Sequence, residues 1–222
     1  MKRLSTLAII PARKGSKSIV GKNYKIFNKK PLIQWTIELV KSLKFIDYSV
    51  ISSNSSEIEK IAKSQDFNYL KRPNSISTDS SQTEDCIFHV IKELRKKKKY
   101  FDIIFLFEPT SPLRKKKTVS KIYKFFIKSN LDSIYTVSEF DKFVGKIKNN
   151  CFLPISQERR RQDRKKLYCE SGVVYIFKTQ KFLKNKKIIT KSSYPYKVDI
   201  LESQDINTQL DFTITEFLHS KI

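Results

Sequence analysis

"IIPARKGSKSIVGKN", residues 9–23, runs from apolar residues into Pro11 and then gathers Arg13, Lys14, Lys17 and Lys22 around Gly15 and Gly21, two of only four glycines in the chain. An apolar strand that ends in a turn rich in glycine and cations has the make-up of a ligand loop beyond the carboxyl end of a parallel strand. Glycine allows backbone to approach a polyphosphate because no Cβ intervenes. Arg13 can grip phosphate oxygens with two prongs, and Lys22 supplies a mobile point charge. The P-loop pattern GxxxxGK[ST] is absent, because Asn23 follows Lys22 and no helix starts directly. The bland alternative is a tight surface turn with solvated lysines.

Outward from this loop the chain alternates between two periodicities. Leu7–Ile10, Tyr48–Ser53, Asp102–Phe107, Ser133–Val137 and Val173–Phe177 read as strands, and "DIIFLF" at 102–107 is the continuous apolar kind buried on both faces. Pro31–Leu43 reads as a helix with Pro31 at its first position. Ser56–Ser64, begun by a serine cap, Thr83–Lys97, Thr118–Ile127 and Leu210–Leu218 read as further helices. Strands alternating with helices predict one α/β domain over 1–222, Rossmann-like, with a mostly parallel sheet covered on both sides. Glu139–Glu170 interrupts the alternation with "QERRRQDRKK" and no core pattern, so it is read as an irregular inserted arm.

At 222 residues the chain can bury one substantial core. No stretch of about 18 apolar residues exists to span a membrane, and the short apolar start reads as a strand, not a signal peptide. Cys86, Cys151 and Cys169 are widely spaced without a CxxC pair, which suits three free thiols in a reducing cytoplasm. Two histidines make a His-built zinc site an unlikely design. The net charge of +23 raises the question of nucleic acid. Lysine supplies 36 of the 45 basic residues, however, and the runs 95–100 and 114–118 lie at helix edges without interleaved aromatics, so the expectation is a solvated surface and no nucleic-acid partner.

Five segments in order carry a resemblance: "IPARKGSKSIVGKN" (10–23), "LKRPNSISTDSSQT" (70–83), "FEPTSPLR" (107–114), "RRQD" with "ESGVVYIF" (160–163 and 170–177), and "SQDINTQLDF" (203–212). Together they resemble the acylneuraminate cytidylyltransferases, the CMP-sialic acid synthetase family, over almost the whole chain. Ser16–Ile19 favours that branch over the related Kdo-activating enzymes. The resemblance implies attack of a nonulosonic acid's anomeric hydroxyl on the α-phosphate of CTP, with Mg²⁺ as cofactor. It implies that Arg13, Lys22 and Asp205 carry catalysis, and that Ala12, Arg13, Gly15, Ser16, Lys22, Asn23, Arg72, Ser81 and Thr83 hold the nucleotide. Glu108, Arg161 and Tyr175 match the sugar pocket, and Asp205, Asn207 and Asp211 the metal site. A cytoplasmic homodimer is implied, with the arm 139–170 reaching the partner's pocket and with N-acetylneuraminic, legionaminic or pseudaminic acid as the sugar.

Each match has a rival role. Arg72 can pair with a surface acid, Thr110–Pro112 can simply turn the chain, Tyr175 can be core, and Asp205 and Asp211 can cap the last helix. Three positions depart from the family pattern: Glu108 stands for Gln, Ser171 for Asn, and Asn207 for Asp. A carboxylate at 108 would repel the sugar's own carboxylate unless protonated or paired. An amide at 207 still offers oxygen to Mg²⁺ but removes a charge. A weakened homologue that binds nucleotide, and a GTP-using legionaminate-type enzyme, therefore remain alternatives.

Overall fold

The apolar run ahead of the glycine-rich loop forms β1 (Thr6–Pro11) in this computed structural model, which describes residues 3–15, 18–155 and 158–221. Ser16 and the Arg161 side chain, both expected at the site, lie outside the described residues. After β1 come a ribbon of β2 (Ile26–Phe27) and β3 (Lys30–Pro31), α1 (Leu32–Ser42), β4 (Tyr48–Ser53), α2 (Ser56–Ser64), β5 (Tyr69–Lys71), α3 (Thr83–Lys96), β6 (Ile103–Leu106) and α4 (Lys116–Lys128). The second half holds β7 (Ser133–Phe140), β8 (Gly145–Lys148), β9 (Cys151–Pro154), β10 (Leu167–Lys178), α5 (Thr179–Asn185), β11 (Tyr194–Lys197) and α6 (Gln209–His219).

Seven strands form the main sheet in the order β11-β7-β10-β6-β1-β4-β5. All neighbours pair in parallel except β10, which is antiparallel to both β6 and β7. The mostly parallel α/β sheet expected from the alternation is thus present, with one reversed strand.

The period-two alternation of β1 assigns the layers. Ala8 and Ile10 pack with Ile33 and Ile37 of α1, Ile58 of α2, and Ile122 and Phe126 of α4. Leu7 and Ile9 face the other way, onto Ile87, Val90 and Ile91 of α3 and Phe182 of α5. β6 splits in the same manner, Phe105 to the first face and Leu106 to the second. Apolar on both faces, these strands form the centre of the sheet, and helices shield each side from water.

Two sequence expectations are corrected. Pro31 is the N-cap of α1 rather than its first helical residue: at ψ 139° it is extended, and Leu32 begins the helix. The arm 139–170 is not irregular throughout. β7 and β10 continue their ladder outward through Leu167–Phe140 to Ser171–Thr136, and β8 and β9 close a separate hairpin beyond it. The outer ladder has polar residues on exposed faces, so no core periodicity betrays it, while the backbone hydrogen bonds form regardless.

Phe105 is fully buried and stacks among Phe45, Phe107 and Tyr123. Phe105→Ala should therefore lower the unfolding free energy by about 3–5 kcal/mol. Denaturant titration measures this, and a loss under about 1 kcal/mol would contradict its place at the centre of the core.

Candidate active site

Because the strands flanking β1 run parallel to it, the loops that follow them emerge at one edge of the sheet. A cleft of about 220 Å³ opens there. The loop after β1 supplies Arg13, Gly15, Lys22 and Asn23; the loop after β5 supplies Arg72, Ser81 and Thr83; the turn after β6 supplies Glu108 and Thr110; the segment before α6 supplies Asp205 and Asn207. Ala12 is fully buried directly below, its N–H donating to Ser52 O at 3.0 Å. Sequence reasoning did not single out Gln82, Ile76 or Pro109, which complete the walls. They lie within the segments 70–83 and 107–114 but carry no charge that would have singled them out.

The loop is held by its own residues. Gly21 has φ 64°, and a Cβ there would come within 2.4 Å of the Tyr24 ring. Asn23 Nδ2 donates to Arg13 O at 3.1 Å, and Ile19 is buried in a small apolar cluster with Phe27, Leu32, Ile206 and Phe212. Arg13 donates to Asp79 Oδ1 at 2.6 Å across the cleft mouth. Gly15 is under no such constraint, since a Cβ there would meet only Arg13 Nη1 at 3.8 Å.

The segment Asp205–Asn207 is pinned from both sides. Lys22 Nζ donates to Ile206 O at 2.7 Å, and Ile206 N donates to Thr110 O at 2.9 Å. Ile206 points into the apolar cluster, whereas Asp205 and Asn207 line the cleft. Asp205 Oδ2 accepts from Asn207 Nδ2 at 2.9 Å, and its Oδ1 is buried without a partner. Asp211 behaves differently. Its Oδ2 accepts from Asn207 N, Thr208 N and Thr208 Oγ1, while Thr208 Oγ1 caps Asp211 N, which is the reciprocal box at the start of α6. Among the described residues, no group of three or more His, Cys, Asp or Glu has the geometry to hold a metal ion.

Buried charge concentrates behind this segment. Gly172 lets β10 approach so closely that a Cβ there would lie 2.7 Å from Ser111 Oγ, 3.5 Å from Glu108 Oε2 and 3.8 Å from Asp205 Oδ1. Burial, then the neighbouring Asp205 carboxylate, push Glu108 up to about 7, against the attraction of Arg114 and Lys22. Arg114 is itself buried; its Nε donates to Ser111 O at 2.7 Å and its Nη2 to Glu108 O. Burial lowers the Lys22 ammonium, with Asp205 and Glu108 pulling the other way. Tyr175 is a core residue of β10 whose hydroxyl donates to Glu170 Oε1 at 2.6 Å. Burial raises its phenol first, and the Glu108 charge adds to that. Arg72 is only 5% exposed, and its Nε and Nη2 have no hydrogen-bond partner, which excludes the surface ion pair considered for it. Unpaired guanidinium nitrogens beside a cleft are donors prepared for a ligand.

The raised Glu108 carboxyl makes a signed stability prediction. Between its ordinary value of 4.5 and about 7, the folded chain keeps a proton that the unfolded chain has released. Stability therefore falls as pH rises through that window and stays reduced above it. Glu108→Gln removes this cost. At pH 8 the variant should be the more stable by about 1–3 kcal/mol, since the open cleft screens part of the effect, and the advantage should shrink towards pH 5. Thermal melts across pH 5–8 measure it; a constant difference would contradict the assignment.

Comparisons with known proteins give the family and the fold. A cytidylyltransferase family model matches residues 7–218. The N-acylneuraminate cytidylyltransferase of Escherichia coli O18:K1:H7 is 26% identical over 99% of this chain and 53% of its own length, so the chain spans about half of that relative. The CMP-N,N'-diacetyllegionaminic acid synthase of Legionella pneumophila is 29% identical over 96% of this chain and 95% of its own. Among solved structures, a CMP:2-keto-3-deoxy-manno-octonic acid synthetase complexed with CTP superposes with a TM-score of 0.74 at 15% identity, covering 98% of this chain and 99% of its own, a likeness of fold. With an unbroken match from β1 to the last helix, the chain belongs to the cytidylyltransferase family.

Proposed function

We propose that the protein transfers a cytidylyl group from CTP to a nonulosonic acid, giving a CMP-sugar and pyrophosphate. The convergence of Arg13, Lys22, Asn23 and Arg72, two of whose guanidinium nitrogens lack a partner, on one cleft of a cytidylyltransferase fold carries this reading. The names of the relatives supply the acceptor class, acylneuraminate and legionaminic acids. In the reaction the anomeric hydroxyl oxygen bonds to the α-phosphorus as its proton passes to water, the bond from that phosphorus to the bridging β-phosphate oxygen breaks, and pyrophosphate leaves with the electron pair. Arg13 and Lys22 hold phosphate oxygens and offset the charge that develops on them. Arg72, Ser81 and Thr83 line the opposite wall, towards base and ribose. The buried, unpartnered Oδ1 of Asp205 and the amide of Asn207 form an oxygen-donor set that fits Mg²⁺, completed by phosphate oxygens and water. Mg²⁺ held there would supply charge neutralisation on the triphosphate.

Pyrophosphate release measured with each of the four nucleotides and with N-acetylneuraminic, legionaminic and pseudaminic acids tests the reading. CTP with at least one acid should turn over; GTP preference would move the protein to the legionaminate-type alternative, and no release with any pair would overturn it. Within an active pair, Arg13→Ala should lower kcat/KM by about 10²-fold or more, since a charged contact to the transferring group is lost. Unchanged kinetics would remove Arg13 from the site.

A second reading, a weakened transferase, draws on one bond. Asn207 Nδ2 donates to Asp205 Oδ2, engaging one of the two carboxylate oxygens that a cation would use. Asn207→Asp should then reach half-maximal rate at a lower Mg²⁺ concentration than the wild type. An unchanged Mg²⁺ dependence would show that the amide costs nothing.

Assembly belongs to the same proposal. The arm exposes Ile147 (80%), Ile155 (63%), Phe152 (51%) and Leu153 (48%). An apolar set of this kind on a projecting hairpin suits a two-fold contact with a second copy. Light scattering at micromolar concentration should give a dimer mass, and a fully active monomer would refute the arm's role. No helix among the described residues is long and apolar enough to cross a membrane. Exposed free Cys151 and Cys169 support a reducing, cytoplasmic setting.

A further inference from the structure

The most buried carboxylate among the described residues is one that the reaction above does not use. Glu202 is 4% exposed, and both its oxygens are met by uncharged donors. Oε2 accepts from Lys115 N at 3.0 Å, and Oε1 accepts from Thr118 Oγ1 at 2.8 Å. These donors stand at the start of α4. That helix has no side-chain cap of its own and no acid in its first turn, and it opens on Lys115, Lys116 and Lys117. Cations there face the positive end of the helix dipole, so an anion brought from elsewhere in the chain is favourable. The buried carboxylate is tolerated because each oxygen has a donor.

A helix cap is normally local, and a serine or aspartate at the N-cap itself would serve as well. Here the cap arrives from 87 residues away, so it joins two segments as well as ending a helix. Residues 198–208, between β11 and α6, form neither strand nor helix. The turn within them bonds to itself, Ser203 N to Asp199 O at 3.1 Å and Gln204 N to Leu201 O at 3.3 Å. Glu202 fastens that turn to α4, and Ile206 N fastens the next residues to Thr110 O. Asp205 lies between these two anchors. Both anchors land on one stretch, 110–118, which starts two residues beyond Glu108. We infer that Glu202 is a positioning residue for the transfer: held by the start of α4, it fixes where Asp205 stands in the cleft and touches no substrate itself. The inference rests on the reading that Asp205 serves transfer. Misplacing a reacting group by about 1 Å can cost about 10²-fold in rate, so an anchor three residues away bears on the chemistry.

The test separates the cap from the anchor. Lys115 is exposed and already has the extended backbone of an N-cap (φ −101°, ψ 138°). K115D in the Glu202→Ala chain therefore restores a local cap without restoring the link. K115D/E202A should recover most of the melting temperature that Glu202→Ala loses. Its kcat for pyrophosphate release should nevertheless stay about tenfold or more below the wild type. Amide hydrogen exchange at residues 203–207 should be faster than in the wild type, while exchange in α4 matches it. Glu202→Gln, whose amide can accept from Lys115 N and donate to the Thr118 hydroxyl, should keep kcat within about threefold. Should Glu202→Ala fail to fold, Thr118→Ala, which removes one of the two donors, is read by the same exchange and kcat. Wild-type kcat in K115D/E202A, or unchanged exchange at 203–207, makes Glu202 a helix cap only and overturns the inference. Should the wild type release no pyrophosphate with any acid, the transfer reading falls and Glu202's part in it follows, whereas exchange still reads the anchor.

Discussion

The site depends on one strap of main chain. Lys22, in the first loop, and Ile206, near the end of the chain, are 184 residues apart, and the lysine Nζ donates to the isoleucine carbonyl. Ile206 N donates in turn to Thr110 O, and its side chain seals an apolar cluster with Phe27 and Phe212. The two hydrogen bonds and the buried isoleucine hold Asp205 against Glu108 and beside the basic loop. This half-buried ammonium is bonded to the strap's carbonyl and attracted by the Asp205 and Glu108 carboxylates, so removing the lysine leaves the Ile206 carbonyl without that donor. Lys22 is therefore as much a structural cation as a ligand-binding one, and the cleft is assembled only when both ends of the chain meet.

The reversed strand is the second constraint. A parallel strand between β6 and β7 would put its first residues at the opposite edge of the sheet. Running antiparallel, β10 brings Glu170, Ser171 and Gly172 to the turn after β6 and ends far from it. Two consequences follow from that single choice. Carboxylates and a phenol become packed behind the cleft, and α5 must return the chain, which brings Lys186 and Lys187 to a cavity that Glu108 and Glu170 also line. The outward extension of the same β7–β10 pair also builds the base of the arm.

What the sequence reveals follows burial. Leu7–Ile10, "DIIFLF" and the apolar stripe of α3 are legible because both faces of a strand or one face of a helix must exclude water. β5 (three residues) and β11 (with Pro195 in an edge strand) carry no such signal, and the outer β7–β10 ladder mixes Leu167, Tyr168 and Phe140 with Glu139 and Glu170, with no periodic apolar face. At the site, Arg13, Lys22 and Asp205 were legible through motif and residue type, and the structure brings them to one cleft. The capping alternative weighed for Asp205 and Asp211 divides between them: Asp211 forms the box of α6, while Asp205 Oδ1 is buried without a partner. The Lys186–Lys187 pair was not legible, because its place depends on how the loop after α5 runs. In a chain with 36 lysines, two more in a loop carry no mark of their own.

The account's central claim is that one cleft takes the triphosphate between Arg13 and Lys22, with the acceptor in the cavity beyond Glu108. A co-crystal structure with CTP, Mg²⁺ and the acceptor acid measures this directly. The account predicts phosphate oxygens within about 3 Å of both cations and the acceptor's anomeric hydroxyl turned towards the α-phosphate. A nucleotide bound outside the Arg13–Lys22 cleft, or an acceptor whose anomeric hydroxyl faces away from it, would contradict it.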